Sequence, residues 1–341
     1  MKSFYIISFL FISALATDAV YGQDLHFSQF FNSPLTTNPA NTGFIADADY
    51  RIGASYRNQY SNLMAAPYKT FSVFGDAQVF RNRLENGWLG LGAVILRDEA
   101  GSGSLTSTKA YGSVAYHQML GYSSLLTAGF NVGWANKRID QSKLKFPDQF
   151  DGNFFDNTLP TSVVLVNNNV SYFDVQAGMN YAYFPTENIY INAGYSIHHV
   201  NRPKETFFED SINNNRLPMR HIGFINALLK MNENVILNPN AYYTIQAKSS
   251  ELVVGLNMAY NLSGDGAKQL IGGLYYRVGD AVVPMIGFDL NNVRFTFSYD
   301  ATTSSLHNFN HYQGASEFNV IKKGFYSEYN GDRRQSLCPS F

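Results

Sequence analysis

The chain has 341 residues, a formal net charge of −1 and a sequence pI of about 6.7. This balance provides neither a basic field for nucleic acid nor an acidic tail. Charged residues make up only 15% of the chain, the same share as aromatic residues, which is a low charge for a soluble surface.

The N-terminus has the features of a secretory signal peptide. Lys2 precedes an apolar run over residues 4–16, and small residues follow up to Gly22. Because the run is too short for a comfortable membrane span, we expect cleavage after Gly22 and export. The only cysteine is Cys338, so we expect neither a lipid anchor at the cleavage site nor an internal disulfide.

Residues 24–43 form a leader that is rich in aromatic residues and Asn-Pro pairs. Such pairs favour fixed, non-helical turns, whereas a segment that only connects would be polar and bland. Two functional interpretations, docking of a partner and packing as a plug, stand beside a structural one, a cap on the periplasmic rim.

From about Tyr50 to Phe325, apolar residues alternate with polar residues and glycine, as in Phe130-Asn131-Val132-Gly133-Trp134. Successive strand residues point to opposite faces, so one face is apolar and the other polar. Behind an export signal, such strands predict a transmembrane barrel with lipid outside and polar groups inside. We predict strands near 50–58, 69–80, 88–98, 104–118, 123–136, 169–183, 188–199, 219–230, 234–247, 251–262, 268–278, 281–290, 292–300 and 315–326.

The expected fold is all-β, a transmembrane antiparallel β-barrel of about 14 strands in the cell outer membrane. An even number of strands places both termini on the periplasmic side, so the long connections 137–168, 201–218 and 301–314 are extracellular. The predicted divisions are a signal peptide at 1–22, a periplasmic N-terminal segment at 23–48, the barrel at 49–326 and a C-terminal tail at 327–341.

Individual strands predict which side chains face the lumen. Near residues 126–134, Val132 faces lipid and Asn131 faces a wet lumen, where an arginine would be tolerated. Pro284 lacks an amide proton and would interrupt a strand ladder unless it lies at a bulge.

The sequence contains none of the catalytic or phosphate-binding signatures that we searched for. His198 and His199 are strand neighbours that point to opposite faces, so they are not expected to share a metal. His307 and His311 are expected to be solvated loop residues. We therefore predict no catalytic residue, no metal and no cofactor, while an outer-membrane hydrolase stays an alternative that a serine-reactive probe would detect.

Four segments resemble the PorP/SprF family of Bacteroidota outer-membrane proteins. The leader His26–Gly43 is similar to the family's opening motif, and the resemblance extends over the mature chain. The three later segments are Arg57-Asn58-Gln59-Tyr60, Pro284-Met285-Ile286-Gly287-Phe288 and Phe297-Ser298-Tyr299-Asp300.

The resemblance implies a non-enzymatic barrel of the type IX secretion system or the allied gliding machinery. Its implied partners are periplasmic secretion components and large secreted adhesins, the latter through the loop 137–168. A porin-like diffusion or uptake channel is the alternative, because a barrel of this size can hold a wet lumen. The residues expected to bind a partner lie in the leader and are Phe27, Gln29, Asn38, Pro39, Ala40 and Gly43.

Overall fold

The protein is represented by a computed structural model in which fourteen antiparallel strands close into a barrel through the pairing of β1 with β14. This confirms the predicted fold class and strand number. The predicted signal peptide and Cys338 lie outside the described residues. The structure describes residues 27–61, 63–81, 83–84, 86–101, 103–156, 158–163, 167–207 and 215–326.

Each strand pairs with its neighbours in sequence, as in an up-and-down barrel. None of the helices among the described residues is long and apolar enough to cross a membrane. The strands are β1 Tyr50–Gln59, β2 Tyr68–Val79, β3 Gly87–Ala100, β4 Leu105–Met119, β5 Ser124–Arg138, β6 Asn169–Thr186, β7 Ile189–His198, β8 Arg220–Asn232, β9 Val235–Gln246, β10 Ser249–Asn261, β11 Lys268–Arg277, β12 Ala281–Leu290, β13 Val293–Thr302 and β14 Gln313–Gly324. The helices are α1 Pro34–Thr37 and α2 His307–Asn310, with 3-10 turns at Phe30–Asn32, Pro39–Asn41, Gln141–Lys143 and Pro147–Gln149.

Three connections are long, and all of them lie at one end of the barrel. The start of β1 and the end of β14 lie at the other end. The long connections are 139–168, 199–219 and 303–312. In outer-membrane barrels the long loops are extracellular and the opposite end is periplasmic, and we name the two ends accordingly. The wall is tallest at β3–β6, whose strands have 14, 15, 15 and 18 residues. The loop 139–168 joins the two longest neighbours of this wall.

The outward faces are apolar, as predicted. Phe130 and Val132 are 54% and 47% exposed on the lipid side, whereas Asn131 between them is fully buried. The expectation of a wet lumen at Asn131 is wrong, because its amide donates to the carbonyl oxygen of Leu35 in the leader at 3.2 Å. An arginine there would displace packed chain instead of entering water.

Pro284 interrupts one ladder, as its missing amide proton requires. Between β12 and β13 the pairing runs through Val282 and Ala301 and resumes at Met285 and Ser298 in the same register. The break is a gap in the ladder without a bulge, and Pro284 lies on the lipid side.

The hydrophobic core lies inside the barrel, where residues of the leader meet the wall. Phe30 packs with Tyr242 and Tyr275, and Leu35 lies in a second cluster with Phe74 and Val94. A third cluster contains Trp88, Leu125 and Tyr190, and Phe44 packs against it. The leader therefore contributes residues to all three hydrophobic clusters inside the barrel.

We expect cysteine labelling to confirm the orientation of the barrel. In a Cys338→Ser background, Asn153→Cys lies in the extracellular connection and Glu187→Cys in a periplasmic turn, both at exposed positions. A membrane-impermeant maleimide should label Asn153→Cys on intact cells, and Glu187→Cys only after permeabilisation. Labelling of Glu187→Cys on intact cells would overturn the orientation.

The two faces of the wall should respond differently to arginine. Val132→Arg places a charge in hydrocarbon and should reduce barrel stability by roughly 2–4 kcal/mol. Ala259→Arg is the matched control, since Ala259 lines an open part of the lumen and its side chain makes no hydrogen bond. Urea unfolding of the two purified variants checks this, and equal losses would contradict the face assignment.

Candidate functional site

Residues 27–48 fill much of the lumen, and we call them the plug. Their sequence favours short turns: Pro34 begins α1, Pro39 begins the following 3-10 turn, and the Asn38 side chain accepts a hydrogen bond from the Ala40 amide at 2.9 Å. Gly43 then turns the chain with φ of +66°, a conformation that glycine adopts without strain.

The extracellular end of the plug is held by a cluster of buried charges. The backbone amides of Ser28 and Gln29 both donate to the Glu317 carboxylate, at 2.8 and 3.1 Å. Asp300 forms ion pairs with Arg57 and Arg277, each at 2.7 Å. These four side chains belong to β1, β11, β13 and β14, so the cluster ties the closing strands of the barrel together.

Ser28 connects this cluster to the plug. Its hydroxyl donates to Asp300 at 2.9 Å and accepts from Arg57 and Arg277. Removing one partner of a buried ion pair leaves an uncompensated charge, at a cost of roughly 3–5 kcal/mol. The first residues of the plug thus supply hydrogen-bond partners to the buried charges of the barrel wall.

The middle of the plug is bound through amide groups. Asn38 is fully buried, and its side chain donates to the backbone carbonyls of Met179 at 2.9 Å and Tyr195 at 3.4 Å. It therefore bridges β6 and β7. On the same wall, Ser196 donates to the carbonyl of Thr37 at 2.8 Å.

The periplasmic end of the plug is bound by three wall side chains from β2, β3 and β4. Asp76 accepts from the Gly43 amide at 2.7 Å, and Trp88 donates from its indole nitrogen to the Gly43 carbonyl at 3.0 Å. His117 lies 2.8 Å from the carbonyl oxygen of Thr42, which sets that ring nitrogen as the donor. The plug thus has polar anchors along its whole length.

Glycines in the wall make room for the plug. A Cβ atom on Gly178 would lie 2.0 Å from Oδ1 of Asn38, and one on Gly90 would lie 1.9 Å from the carbonyl oxygen of Thr42. No side chain fits at such distances, so the plug backbone and the strands approach as closely as glycine allows.

All the residues predicted to bind a partner lie in this plug and are buried against the barrel. In this arrangement their contacts are with the wall, and a direct role in partner binding stays a prediction. The six residues are Phe27, Gln29, Asn38, Pro39, Ala40 and Gly43.

The wall residues that bind the plug are not among the site residues predicted from the sequence. Arg57, Ser298 and Asp300 belong to the segments that carry the family resemblance, and the structure brings them to Ser28 and Gln29. In the extracellular charge cluster, no motif identified Arg277 and Glu317. Both are charged residues at inward positions of an alternating strand, and that was the available signal.

The prediction that His198 and His199 point to opposite faces is wrong. The strand ends at His198, and His199 has φ of +57°, so both side chains are buried. His199 contacts Asp174 at 2.9 Å through Nδ1. Among the described residues, no group of three or more His, Cys, Asp or Glu is placed to hold a metal ion.

The extracellular connection 139–168 carries exposed aromatic residues. Phe154 is 76% exposed, and the ring centroids of Phe150 and Phe155 lie 5.1 Å apart. Asp148 ties the loop to its return segment by accepting hydrogen bonds from Ser162, and these bonds lower the pKa of the Asp148 carboxyl. The aromatic tip is thus presented on a structured loop.

Comparison with known proteins identifies the family and the fold. The family model of the type IX secretion system membrane protein PorP/SprF matches residues 19–321. No curated protein matches the chain.

Solved structures with the same barrel architecture include two toluene transporters and a FadL homologue. The Pseudomonas putida toluene transporter TodX is 13% identical with a TM-score of 0.51, covering 85% of this chain and 92% of that one. The Ralstonia pickettii toluene transporter TbuX is also 13% identical, with a TM-score of 0.51 and coverages of 86% and 94%. A Pseudomonas aeruginosa FadL homologue is 10% identical, with a TM-score of 0.50 and coverages of 90% and 95%. At these identities the likeness shows the fold alone.

The contact between Gly178 and Asn38 predicts that a single methyl group displaces the plug. Gly178→Ala should overpack this contact and cost roughly 1–3 kcal/mol of stability. We expect higher single-channel conductance in planar bilayers, with the heat-modifiable gel shift of a folded barrel retained. Gly223→Ala is the control, because a Cβ at Gly223 meets nothing within 4 Å. Equal conductance of both variants would show that the plug is not held at this contact.

Proposed function

The chain belongs to the PorP/SprF family of type IX secretion system membrane proteins, and from this premise we propose that it is a non-enzymatic tether in the outer membrane. It would hold periplasmic ring components or secreted surface adhesins to that membrane. Association with the secretion machinery follows from the family, whereas the tethering role is our proposal.

The plug is the single observation that most supports a tether. Polar groups along residues 28–43 bind wall strands on both sides of the lumen, from Glu317 in β14 to Tyr195 in β7. A diffusion channel needs a continuous path for solutes, whereas a tether needs a rigid body in the membrane. A barrel filled by its own chain is better suited to the second task.

The leader residues first expected to bind a partner directly take an indirect role in this proposal. Gln29, Asn38 and Gly43 hold the plug against the wall, and the last residues of the plug, 44–48, lie at the periplasmic rim. There Asp47 is about half exposed and pairs with Lys323 at 2.6 Å. The rim, shaped by the plug, is the surface that we assign to a periplasmic partner.

The extracellular loop 139–168 is the surface that we assign to a secreted adhesin. Phe150, Phe154 and Phe155 form an exposed aromatic group on it. Large apolar side chains at an exposed loop tip are common anchors in protein interfaces. The aromatic group and the rim lie at opposite ends of the barrel, so a tether could contact partners on both sides.

The proposal is tested by loosening the plug without changing the strands. The triple variant Asn38→Gly, Pro39→Ser, Ala40→Gly removes the amide bridge between β6 and β7 but keeps every strand residue. If the protein is a tether, the triple variant should lose cargo export or co-purifying periplasmic secretion proteins. Its heat-modifiable gel shift should stay normal. The control is Met64→Gly, Ala65→Ser, Ala66→Gly in the β1–β2 connection, away from the plug.

The same variants separate the tether from a channel. Intact export together with increased permeation of small solutes would favour the porin-like function. Intact export with a destabilised barrel would mean that the leader serves only stability. The plug would then not be the site of a tethering function.

A further inference from the structure

The plug leaves a cavity of about 480 Å³ on the β7–β14 side of the lumen. Its inner end is formed by Phe30, Phe31 and Asn32 of the plug, and its mouth by Asp265 and Asn292 in periplasmic turns. The volume lies within the range of ligand pockets, roughly 300–1,000 Å³. The cavity therefore opens to the periplasm and ends at the plug.

One wall of the cavity carries a row of asparagines on four neighbouring strands. Asn192 pairs across the sheet with Asn226, and Asn238 pairs with Asn257. The side chain of Asn238 donates to Asn226, which donates to Asn192 at 2.9 Å. Each side-chain amide has two donor and two acceptor positions. The row can therefore form further hydrogen bonds with a ligand that carries both donors and acceptors.

Apolar side chains flank the row on both sides. Phe31 and Phe224 lie on its extracellular side, and Leu228, Ile236 and Ile271 on its periplasmic side. A few polar groups in a largely apolar concave site fix the orientation of a bound ligand. The lining matches a ligand that alternates amide groups with large apolar side chains.

Four charged side chains at the mouth form two ion pairs. Arg294 forms an ion pair with Asp289 at 2.9 Å, and Lys323 forms one with Asp47. The remaining mouth carboxylate, Asp265, accepts hydrogen bonds from Ser263 and from the backbone amide of Ala267. The mouth therefore has no excess positive charge that would select an anionic lipid headgroup. A neutral segment enters without disturbing these pairs.

We propose that this cavity is a receptor for a short neutral polypeptide segment of a periplasmic partner. The asparagine row binds the backbone amides of that segment, and the apolar flanks hold one or two of its large side chains. The inference rests on the proposed tethering function and deepens it, since it provides the tether with a specific attachment site.

Occupancy of the cavity is measured by protection of a cysteine. Leu228→Cys, in a Cys338→Ser background, places a thiol on the cavity wall, and Glu187→Cys in an exposed turn is the control. In native membranes a small maleimide should label Leu228→Cys about tenfold more slowly than in the purified barrel, as for a site free about one-tenth of the time. The control should react equally in both, and a protease added from the periplasmic side should restore fast labelling.

Three outcomes would overturn the proposal. Equally fast labelling of Leu228→Cys in native membranes and in the purified barrel would show an empty cavity. Protection that survives the protease would show an occupant that is not a polypeptide. Protection that is lost when the chain is ended after Tyr326 would identify the occupant as residues 327–341 of this same chain.

A second variant distinguishes failure of the cavity from failure of the tether. Ala259→Trp fills the cavity, whereas Ala128→Trp adds the same side chain on the lipid face. We expect Ala259→Trp alone to lose co-purifying periplasmic proteins, with a normal gel shift. If Ala259→Trp keeps them while the Asn38–Ala40 triple variant loses them, the cavity inference fails and the tether stands. If both keep them, the tether fails.

Discussion

The structure depends on buried polar groups that the barrel wall alone does not satisfy. A barrel of fourteen strands is too wide for its own side chains to fill, so its inward polar residues need either water or another part of the chain. Here the chain's own leader supplies the partners. Arg57, Asp300 and Glu317 meet the polar groups of Ser28 and Gln29 at the extracellular end, and Asp76 meets the Gly43 amide at the other.

This constraint explains why residues far apart in sequence behave as one unit. Ser28 and Asp300 are separated by 272 positions, yet they share a hydrogen bond within a network that also contains Arg57. The wall strands supply glycine where the plug backbone comes closest, as at Gly178. A barrel filled by its own chain, with a cavity toward the periplasm and an aromatic loop at the other end, is consistent with the proposed tether.

The candidate site was predicted only in part from the sequence. The leader was identified because its aromatic and Asn-Pro content exceeded what a connecting segment needs, and plug packing was one interpretation. The burial of Asn131 was not foreseen, because alternation distinguishes lumen from lipid but not a filled lumen from a wet one. The inward turn of His199 was also missed, since its positive φ follows from the end of β7 and from the contact with Asp174.

By itself, the sequence determined the barrel, its fourteen strands, the faces of the strands that alternate cleanly and the placement of the three long loops at one end. These properties follow from residue alternation and turn spacing, which are local and repeat along the chain. Only the tertiary structure decided that the leader enters the lumen, which wall residues bind it and where a cavity remains. Those contacts join residues hundreds of positions apart, and they depend on the closed barrel bringing β1, β11, β13 and β14 around the same few plug residues.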